Sequence, residues 1–184
     1  NKYSKFKNKI NYILLEDLPS NLSIINEKDS ADSKNSKIIL NALKRENSQR
    51  DTLYQGIKSA SAEDLIIISD VDEIPNLEIN NFDDVKNKII LFKQKFFYYK
   101  FNLELYNFPW YGSKACKKKN LISPQWLRNV KDKIYPFWRL DTWFSRKKYQ
   151  NIKIIDKGGW HFSNVKTPAD IEKKMKTYLH HREY

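Results

Sequence analysis

Residues 65–75 read Leu-Ile-Ile-Ile-Ser-Asp-Val-Asp-Glu-Ile-Pro, an apolar run followed at once by three carboxylates and a proline. A short, β-branched run of this kind is typical of a buried strand, and we predict a central strand over 65–69. The carboxylates then follow the end of that strand. In open α/β sheets this end of the strands is where ligands bind. The stretch therefore predicts both a fold class and the position of a site.

Two of the carboxylates indicate a metal site. Asp70 and Asp72 are two residues apart, so on an extended chain their side chains point to the same side. Such hard oxygen ligands suit Mg²⁺ or Mn²⁺, and a cation offsets the repulsion between them. The alternative is a turn in which the Asp side chains accept hydrogen bonds from backbone N–H groups. The preceding strand and the additional Glu73 favour the metal site.

Length and composition indicate one folded domain. The chain has 184 residues, of which 40% are hydrophobic and 14% aromatic, too many for a disordered protein. No apolar stretch approaches the roughly 18 residues of a membrane span. The single cysteine, Cys116, fits a reducing compartment and is expected to be a small core residue. We expect a cytoplasmic protein of microbial or viral type, present here as a fragment of a longer chain.

The charge of the chain is unevenly distributed. The net charge is +12; residues 1–85 carry 11 basic and 15 acidic side chains, whereas residues 86–184 carry 23 and 7. A basic half of this kind can contact nucleic acid or a membrane surface. It also suits an enzyme that holds a diphosphate beside an acidic metal site. Because only 6 of the 34 basic residues are Arg, much of the charge is also consistent with solvated surface lysine.

Hydrophobic periodicity predicts an α/β fold with a mainly parallel sheet in its first half. The C-terminal helix has Thr167 as its N-cap and Pro168 at its first position. This layout provides a nucleotide and metal half over 1–90 and an acceptor half over 91–184, the second more antiparallel and irregular. We predict strands over 10–15, 65–69, 89–101, 113–122 and 152–156, helices over 37–58 and 168–183, a polar loop over 26–36, and a short helix or turn over 76–88.

Three further segments carry side chains suited to binding. Gly-Gly-Trp-His-Phe-Ser at 158–163 places His161 where a strand ends, able to bind a metal or donate to phosphate. Trp-Tyr-Gly-Ser-Lys at 110–114 sets aromatic rings beside a cation. The polar stretch 45–50 is either the solvent face of its helix or part of a site. Each also has a purely structural interpretation, as a core histidine, core aromatics and a solvated helix face.

Together these segments resemble glycosyltransferase family 17, which includes an N-acetylglucosaminyltransferase that adds bisecting GlcNAc. The resemblance covers nearly the whole chain, and its most specific blocks are those at 66–75 and 158–163. The matching segments, in order, are Arg-Glu-x-x-Gln-Arg-Asp at 45–51, Ile-Ile-Ile-Ser-Asp-Val-Asp-Glu-Ile-Pro at 66–75, Trp-Tyr-Gly-Ser-Lys at 110–114, Ser-Pro-Gln-x-Leu-Arg at 123–128, Gly-Gly-Trp-His-Phe-Ser at 158–163 and His-Arg-Glu-Tyr at 181–184.

The resemblance implies a GT-A-like, Rossmann-like mixed sheet flanked by helices, with N-terminal strands that precede residue 1. It also implies a metal-dependent, inverting transfer from a UDP-sugar, by preference UDP-GlcNAc, to a glycan hydroxyl. Asp70 and Asp72 match the family's metal-binding motif, and His161 matches a C-terminal histidine that binds the metal or the diphosphate. Arg50 and Lys114 are candidate donor contacts. The stretch 130–148 is longer and more basic than the family leads us to expect.

The expected mechanism needs a carboxylate base on the acceptor side. Asp141, between Trp138 and Trp143, is one candidate and Glu104 is another, although each is equally suited to pair with a nearby lysine. Trp110 or Trp160 is placed to stack on a sugar ring.

Three other functions compete with a transferase. A nucleic-acid-binding module explains the basic half but not the acidic strand end, so we expect no nucleic-acid partner. A non-catalytic carbohydrate-binding domain explains the aromatic residues. A metal-dependent nuclease or phosphoryl-transfer enzyme would use the same carboxylates.

Overall fold

A computed structural model describes residues 3–78, 81–82, 85–133, 135–136, 138–143, 145 and 151–177. The chain divides into two compact units, Asn1–Ser59 with Lys173–Tyr184, and Ala60–Glu172. The predicted nucleotide and acceptor halves, 1–90 and 91–184, stay a prediction; residue 90 itself lies in a buried strand of the second unit. The helices are α1 (Ala31–Thr52), α2 (Pro124–Asn129), α3 (Leu140–Trp143) and α4 (Pro168–Thr177), and the strands are β1 (Leu65–Ile68), β2 (Glu73–Pro75), β3 (Ile89–Phe92), β4 (Lys95–Tyr98), β5 (Lys114–Lys117), β6 (Ile152–Ile155) and β7 (Gly159–Ser163), with 3₁₀ segments at Ser4–Lys9, Leu53–Ile57 and Lys118–Asn120.

The first unit is built on the long helix α1. Its N-cap is Ser30, whose hydroxyl accepts a hydrogen bond from the Ser33 N–H at 3.2 Å. The predicted helix over 37–58 is confirmed, but it begins six residues earlier, so part of the predicted polar loop 26–36 is helical. The buried Asn41 holds the preceding chain against α1, accepting from Ser23 N–H at 2.7 Å and donating to Ser23 C=O at 2.8 Å.

The second unit contains two sheets of mixed strand orientation. The four-stranded sheet has the order β1-β5-β3-β6, and the three-stranded sheet has the order β2-β7-β4. Strand β5 runs antiparallel to both of its neighbours, whereas β6 is parallel to β3. In the second sheet β7 is antiparallel to β2 and parallel to β4. The α/β class and the mixed sheet are confirmed at this coarse level.

The core of the second unit lies on β3. All four of its residues, Ile89–Phe92, are buried because the strand is enclosed between β5 and β6. Cys116 on β5 is buried beside it, as predicted for a core residue, and burial raises the pKa of its thiol to about 12. The packed cluster consists of Val85, Ile90, Phe92, Ala115 and Ile155.

Several expectations about strands are wrong. No strand occurs over 10–15, and β1 lies at an edge of its sheet in the described part of the chain. The predicted parallel arrangement fails because β5 comes between β1 and β3. The single strand predicted over 89–101 is two strands that belong to different sheets. The chain changes sheets at Gln94, whose N–H donates to Trp110 C=O at 2.8 Å.

The C-terminal helix begins as predicted. The Thr167 hydroxyl accepts from Asp170 N–H at 3.3 Å and donates to the Asp170 carboxylate at 2.7 Å, with Pro168 as the first helical residue. The predicted extension over 178–183 lies outside the described residues. Among the residues that are described, no helix combines the length and the apolar character that crossing a membrane requires.

Candidate active site

The acidic segment after β1 forms a tight turn. Glu73 N–H donates to Asp70 C=O at 3.0 Å, and the Glu73 carboxylate accepts from Asp70 N–H at 3.0 Å. These bonds satisfy backbone groups that have left the four-stranded sheet. The expectation that Asp70 and Asp72 point the same way from an extended chain is therefore wrong. The turn that the sequence offered as the alternative is the one that forms, with Val71 fully exposed at its tip.

One side of the turn is an ionic network centred on a buried carboxylate. The Glu73 side chain has 0% exposure, and both of its oxygens accept from the Arg128 guanidinium, at 2.9 and 3.1 Å. The same guanidinium donates to Asp70 at 2.6 Å and to the Gly112 carbonyl. A planar guanidinium is the side chain best suited to bridge two carboxylates in this way. Asp70 and Glu73 thus share the positive charge of Arg128.

Arg128 reaches this network because of how α2 is capped. The Ser123 hydroxyl accepts from Trp126 N–H at 3.2 Å, and Pro124 begins the helix, which fixes where its last turn falls. The sequence did not reveal that Arg128 pairs with Glu73, because nothing in their spacing links them. The available signal was the scarcity of Arg in a lysine-rich chain, since a rare Arg suggests a need for bidentate pairing.

Trp110 connects this network to the other side of the turn. Its indole N–H donates to Glu73 at 2.8 Å, and its ring stacks on the imidazole of His161 at 4.7 Å between ring centroids and 14° between planes. Gly112 makes room for this arrangement. A Cβ at that position would lie 1.9 Å from Glu73 Oε1 and 2.2 Å from Trp110 Nε1.

The other side of the turn is the contact between Asp72 and His161. Asp72 Oδ2 lies 3.5 Å from His161 Nε2, and Phe162 N–H donates to Asp72 C=O at 2.9 Å. Strands β2 and β7 hold the two residues together, with Glu73 opposite His161 in the antiparallel register. The His161 side chain is 8% exposed, and its Nδ1 has no hydrogen-bond partner among the described residues. The Asp72 side chain is 38% exposed.

Two features of the surrounding structure fix the position of His161. The ring of Phe96 packs edge-on against the imidazole at 4.5 Å between centroids. Gly159, at φ +123°, begins β7 in a backbone conformation that other residues rarely adopt, and a Cβ there would lie 2.0 Å from Ile74 C=O. The sequence suggested that His161 follows the end of a strand, but His161 lies in the middle of β7.

The predicted metal ligands separate into a pair and a third residue. Asp72 and His161 are together, whereas Asp70 is paired with Arg128. In the described part of the chain, no group of three or more His, Cys, Asp and Glu side chains is arranged to hold a metal. The pair itself fits a cation, since two ligands at about 2.1 Å from one ion lie roughly 3 Å apart. The predicted three-residue set does not fit as it stands.

The candidate donor contacts have other partners. Lys114 is buried, and its ammonium donates to the carbonyls of Arg128 and Val130 at the end of α2. The structure therefore favours a structural role for Lys114. Arg50 belongs to the first unit, where it pairs with Glu46 at 3.0 Å.

The two candidate bases differ in their surroundings. Asp141 is exposed, and both of its oxygens accept from Arg139, at 2.8 and 2.7 Å. Glu104 is 19% exposed and pairs with Lys95 at 3.0 Å. Glu104 lines a cavity of about 420 Å³ that also has Phe96 in its wall.

The two candidate sugar-stacking residues lie in different environments. Trp110 is half-buried by His161 and Glu73, but it also lines a second cavity of about 490 Å³, with Gly112 and Arg128. Trp160 neighbours His161 on β7 and is 39% exposed, on the opposite face of the strand.

No protein-family model, no curated protein and no solved structure matches this chain. The likeness to glycosyltransferase family 17 therefore stays a prediction from the sequence motifs.

Proposed function

We propose that this chain is a metal-dependent, inverting glycosyltransferase that moves a sugar, by preference GlcNAc, from a UDP-sugar to a hydroxyl of a glycan. The observation that carries the proposal is the contact between Asp72 and His161 at 3.5 Å. These residues come from the two most specific blocks of the family resemblance, which are far apart in the sequence and adjacent in the β2-β7-β4 sheet. An α/β fold with mixed sheets is compatible with this function.

Asp72 and His161 are the residues that would hold the divalent cation, Mn²⁺ or Mg²⁺. One carboxylate and one imidazole would supply only two ligands to the cation. That number suffices, because Mg²⁺ sites in phosphate-binding enzymes often have only one or two protein ligands beside the substrate's phosphates. The chemistry that a bound cation supplies is stabilisation of the negative charge on the departing UDP. Trp110 and Phe96 keep the imidazole of His161 in place for that role.

The cavity of about 490 Å³ suits the uncharged part of a substrate. Two of the cations that line it, Lys114 and Arg128, are already engaged with carbonyl and carboxylate groups of the protein. Lys131 and Asp132, one of each sign, line it as well. Aromatic rings and balanced polar groups of this kind favour a sugar ring over a phosphate.

Glu104 is the better of the two candidate bases. Asp141 is held by Arg139 through both oxygens, whereas Glu104 lines a cavity whose wall includes the ring that packs on His161. The base takes the proton from the acceptor hydroxyl as that oxygen bonds to the anomeric carbon. The bond from the anomeric carbon to the UDP oxygen breaks in the same step, and the configuration inverts.

Release of UDP from UDP-GlcNAc tests the proposal. We expect turnover that needs Mn²⁺, stops in EDTA, and is lost in Asp72→Ala while the variant still unfolds cooperatively. Glu63→Ala is the matched control, because Glu63 is an exposed carboxylate paired only with surface lysines in the described structure. Unchanged turnover in Asp72→Ala, or turnover that persists in EDTA, would contradict the proposal.

A further inference from the structure

Arg128 is connected to His161 through two intermediate side chains. The guanidinium binds both oxygens of Glu73 at 2.9 and 3.1 Å, and one of those oxygens also accepts from the Trp110 indole at 2.8 Å. The indole stacks on His161 with an angle of 14° between the rings. Each link is short and directional except the last, which is a contact between ring faces.

The chain of contacts has little freedom to rearrange. Glu73 is entirely buried, the Arg128 side chain is 11% exposed, and a Cβ at Gly112 would overlap both Glu73 and Trp110. Since a buried carboxylate keeps its charge only when it is paired, the position of Glu73 depends on Arg128. The position of the indole depends on Glu73 in turn, because its N–H donates to that carboxylate.

The same guanidinium also determines which carboxylate of the turn faces His161. Arg128 donates to Asp70 at 2.6 Å and leaves Asp72 facing His161. One residue thus sets both partners of the candidate cation pair, holding His161 through Trp110 and separating Asp70 from Asp72.

We infer that Arg128 is a positioning residue for the Asp72–His161 pair, acting on His161 through Glu73 and Trp110. It touches neither partner of that pair in any contact that the described structure records. The importance of this role for catalysis rests on the proposed function, whereas the geometric dependence of His161 on Arg128 does not.

Proton NMR of the metal-free protein tests the dependence. An imidazole stacked on an indole has its ring C–H resonances shifted by the ring current, and the chain has only three histidines, so His161→Gln identifies the signals. We expect Arg128→Lys to move these signals toward the values of an unstacked histidine, because the single nitrogen of an ammonium cannot reproduce the forked donors that the guanidinium directs at Glu73 and Asp70. Arg139→Lys is the control, since Arg139 belongs to an exposed pair.

A second variant, Trp110→Phe, keeps the test possible if Arg128→Lys does not fold. Trp110→Phe removes the N–H that Glu73 binds and leaves a smaller ring beside His161, so it should also alter the His161 signals. In the double variant Arg128→Lys with Trp110→Phe, we expect no further displacement, because both changes break the same chain of contacts. Unchanged His161 signals in Arg128→Lys, or additive displacements in the double variant, would overturn the inference.

Activity measurements then separate this inference from the proposed function. If turnover occurs, Arg128→Lys should raise the Mn²⁺ concentration for half-maximal rate about 5-fold or more, a change that general destabilisation does not produce. Displaced His161 signals without any turnover in the wild-type protein would support the positioning role and refute the transferase.

Discussion

The two sides of the Asp70–Glu73 turn are built in opposite ways. On one side Asp70 and Glu73 share the guanidinium of Arg128, and the Glu73 side chain is completely buried. On the other side the Asp72 carboxylate is 38% exposed and lies 3.5 Å from the imidazole of His161. Three carboxylates within four residues thus divide into two that share one guanidinium and one that faces an imidazole, although the Asp70 side chain, at 40% exposure, is as accessible as that of Asp72. Proximity in the sequence does not make acidic residues ligands of one ion.

The two sides also differ in how their energy depends on each partner. A buried ion pair adds little net stability while it is intact, but removing one partner leaves a buried charge and costs several kcal/mol. The Asp72 carboxylate, in contrast, is 38% exposed, so water can compensate its charge when its partner is removed. We call Asp70, Glu73 and Arg128 the closed side and Asp72 with His161 the open side. Mutations on the closed side should therefore change the stability of the protein, and mutations on the open side should change ligand binding.

The largest effect is expected from removing the cation of the closed side. Arg128→Met should lower the free energy of unfolding by about 3–5 kcal/mol, because the Glu73 carboxylate keeps no cationic partner that the described structure records. Urea unfolding measures this. Arg139→Met removes an arginine from an exposed pair and should cost about 1 kcal/mol or less. Equal losses of unfolding free energy in Arg128→Met and Arg139→Met would show that the closed side depends on its cation no more than an exposed pair does.

A smaller loss is expected from filling the space beside Glu73. Gly112→Ala places a methyl group within 1.9 Å of the Glu73 carboxylate, so the carboxylate and the indole must separate. We expect about 1–3 kcal/mol of destabilisation in thermal or urea unfolding. Gly56→Ala is the control, since its nearest neighbour is the flexible end of Ile13 at 3.0 Å. If Gly112→Ala destabilises the protein no more than Gly56→Ala does, the space between Gly112, Glu73 and Trp110 is less tightly packed than the structure shows.

The smallest effect concerns an exposed ionic cluster of the same unit. Lys117 and Lys119 hydrogen-bond Glu63 and lower the pKa of its carboxyl from 4.5 to about 2. Because the folded-state pKa is depressed, the stabilisation is present above about pH 4.5 and is lost as the pH falls toward 2.

The melting temperatures of wild type and Glu63→Gln should therefore differ slightly at neutral pH and converge near pH 2. Glu78→Gln, at another exposed glutamate, serves as the control. If Glu63→Gln lowered the melting temperature as much as Arg128→Met does, exposed and buried ion pairs would contribute equally to stability in this protein, which would contradict the prediction.

Local signals predicted much of the secondary structure. Ile38, Ile39 and Leu43 gave the helical periodicity of α1, and Thr167 with Pro168 marked the start of α4. The apolar run at 65–68 correctly predicted β1. These features depend on residues close in sequence, where capping and periodicity act directly.

The order of strands depended on contacts that local sequence does not encode. Residues 89–101 read as one strand, yet the chain changes sheets at Gln94, whose buried amide donates to the Ser113 hydroxyl at 3.0 Å. The strand β5 then separates β1 from β3 in an antiparallel arrangement. A period-two pattern cannot show which strand pairs with which.

Only part of the site was predicted, again because some of its contacts join residues that are far apart in the sequence. Asp72, His161 and Trp110 were identified from their residue types and do lie together. The pairing of Asp70 was missed because its partner, Arg128, lies far along the chain, and no spacing rule connects them. The two-residue spacing of Asp70 and Asp72 after a strand suggested an extended acidic segment, but the backbone of Asp70 bonds to the backbone and the side chain of Glu73 instead.

The most direct test of the account compares the two aspartates as cation ligands. The measurement is the rise in melting temperature that Mn²⁺ with UDP produces in wild type, Asp70→Asn and Asp72→Asn, since a ligand of the folded state raises its stability. We predict that Asp70→Asn starts from a lower melting temperature but keeps the rise, and that Asp72→Asn loses it. A rise that survives in Asp72→Asn and disappears in Asp70→Asn would contradict the assignment of the open side as the functional one.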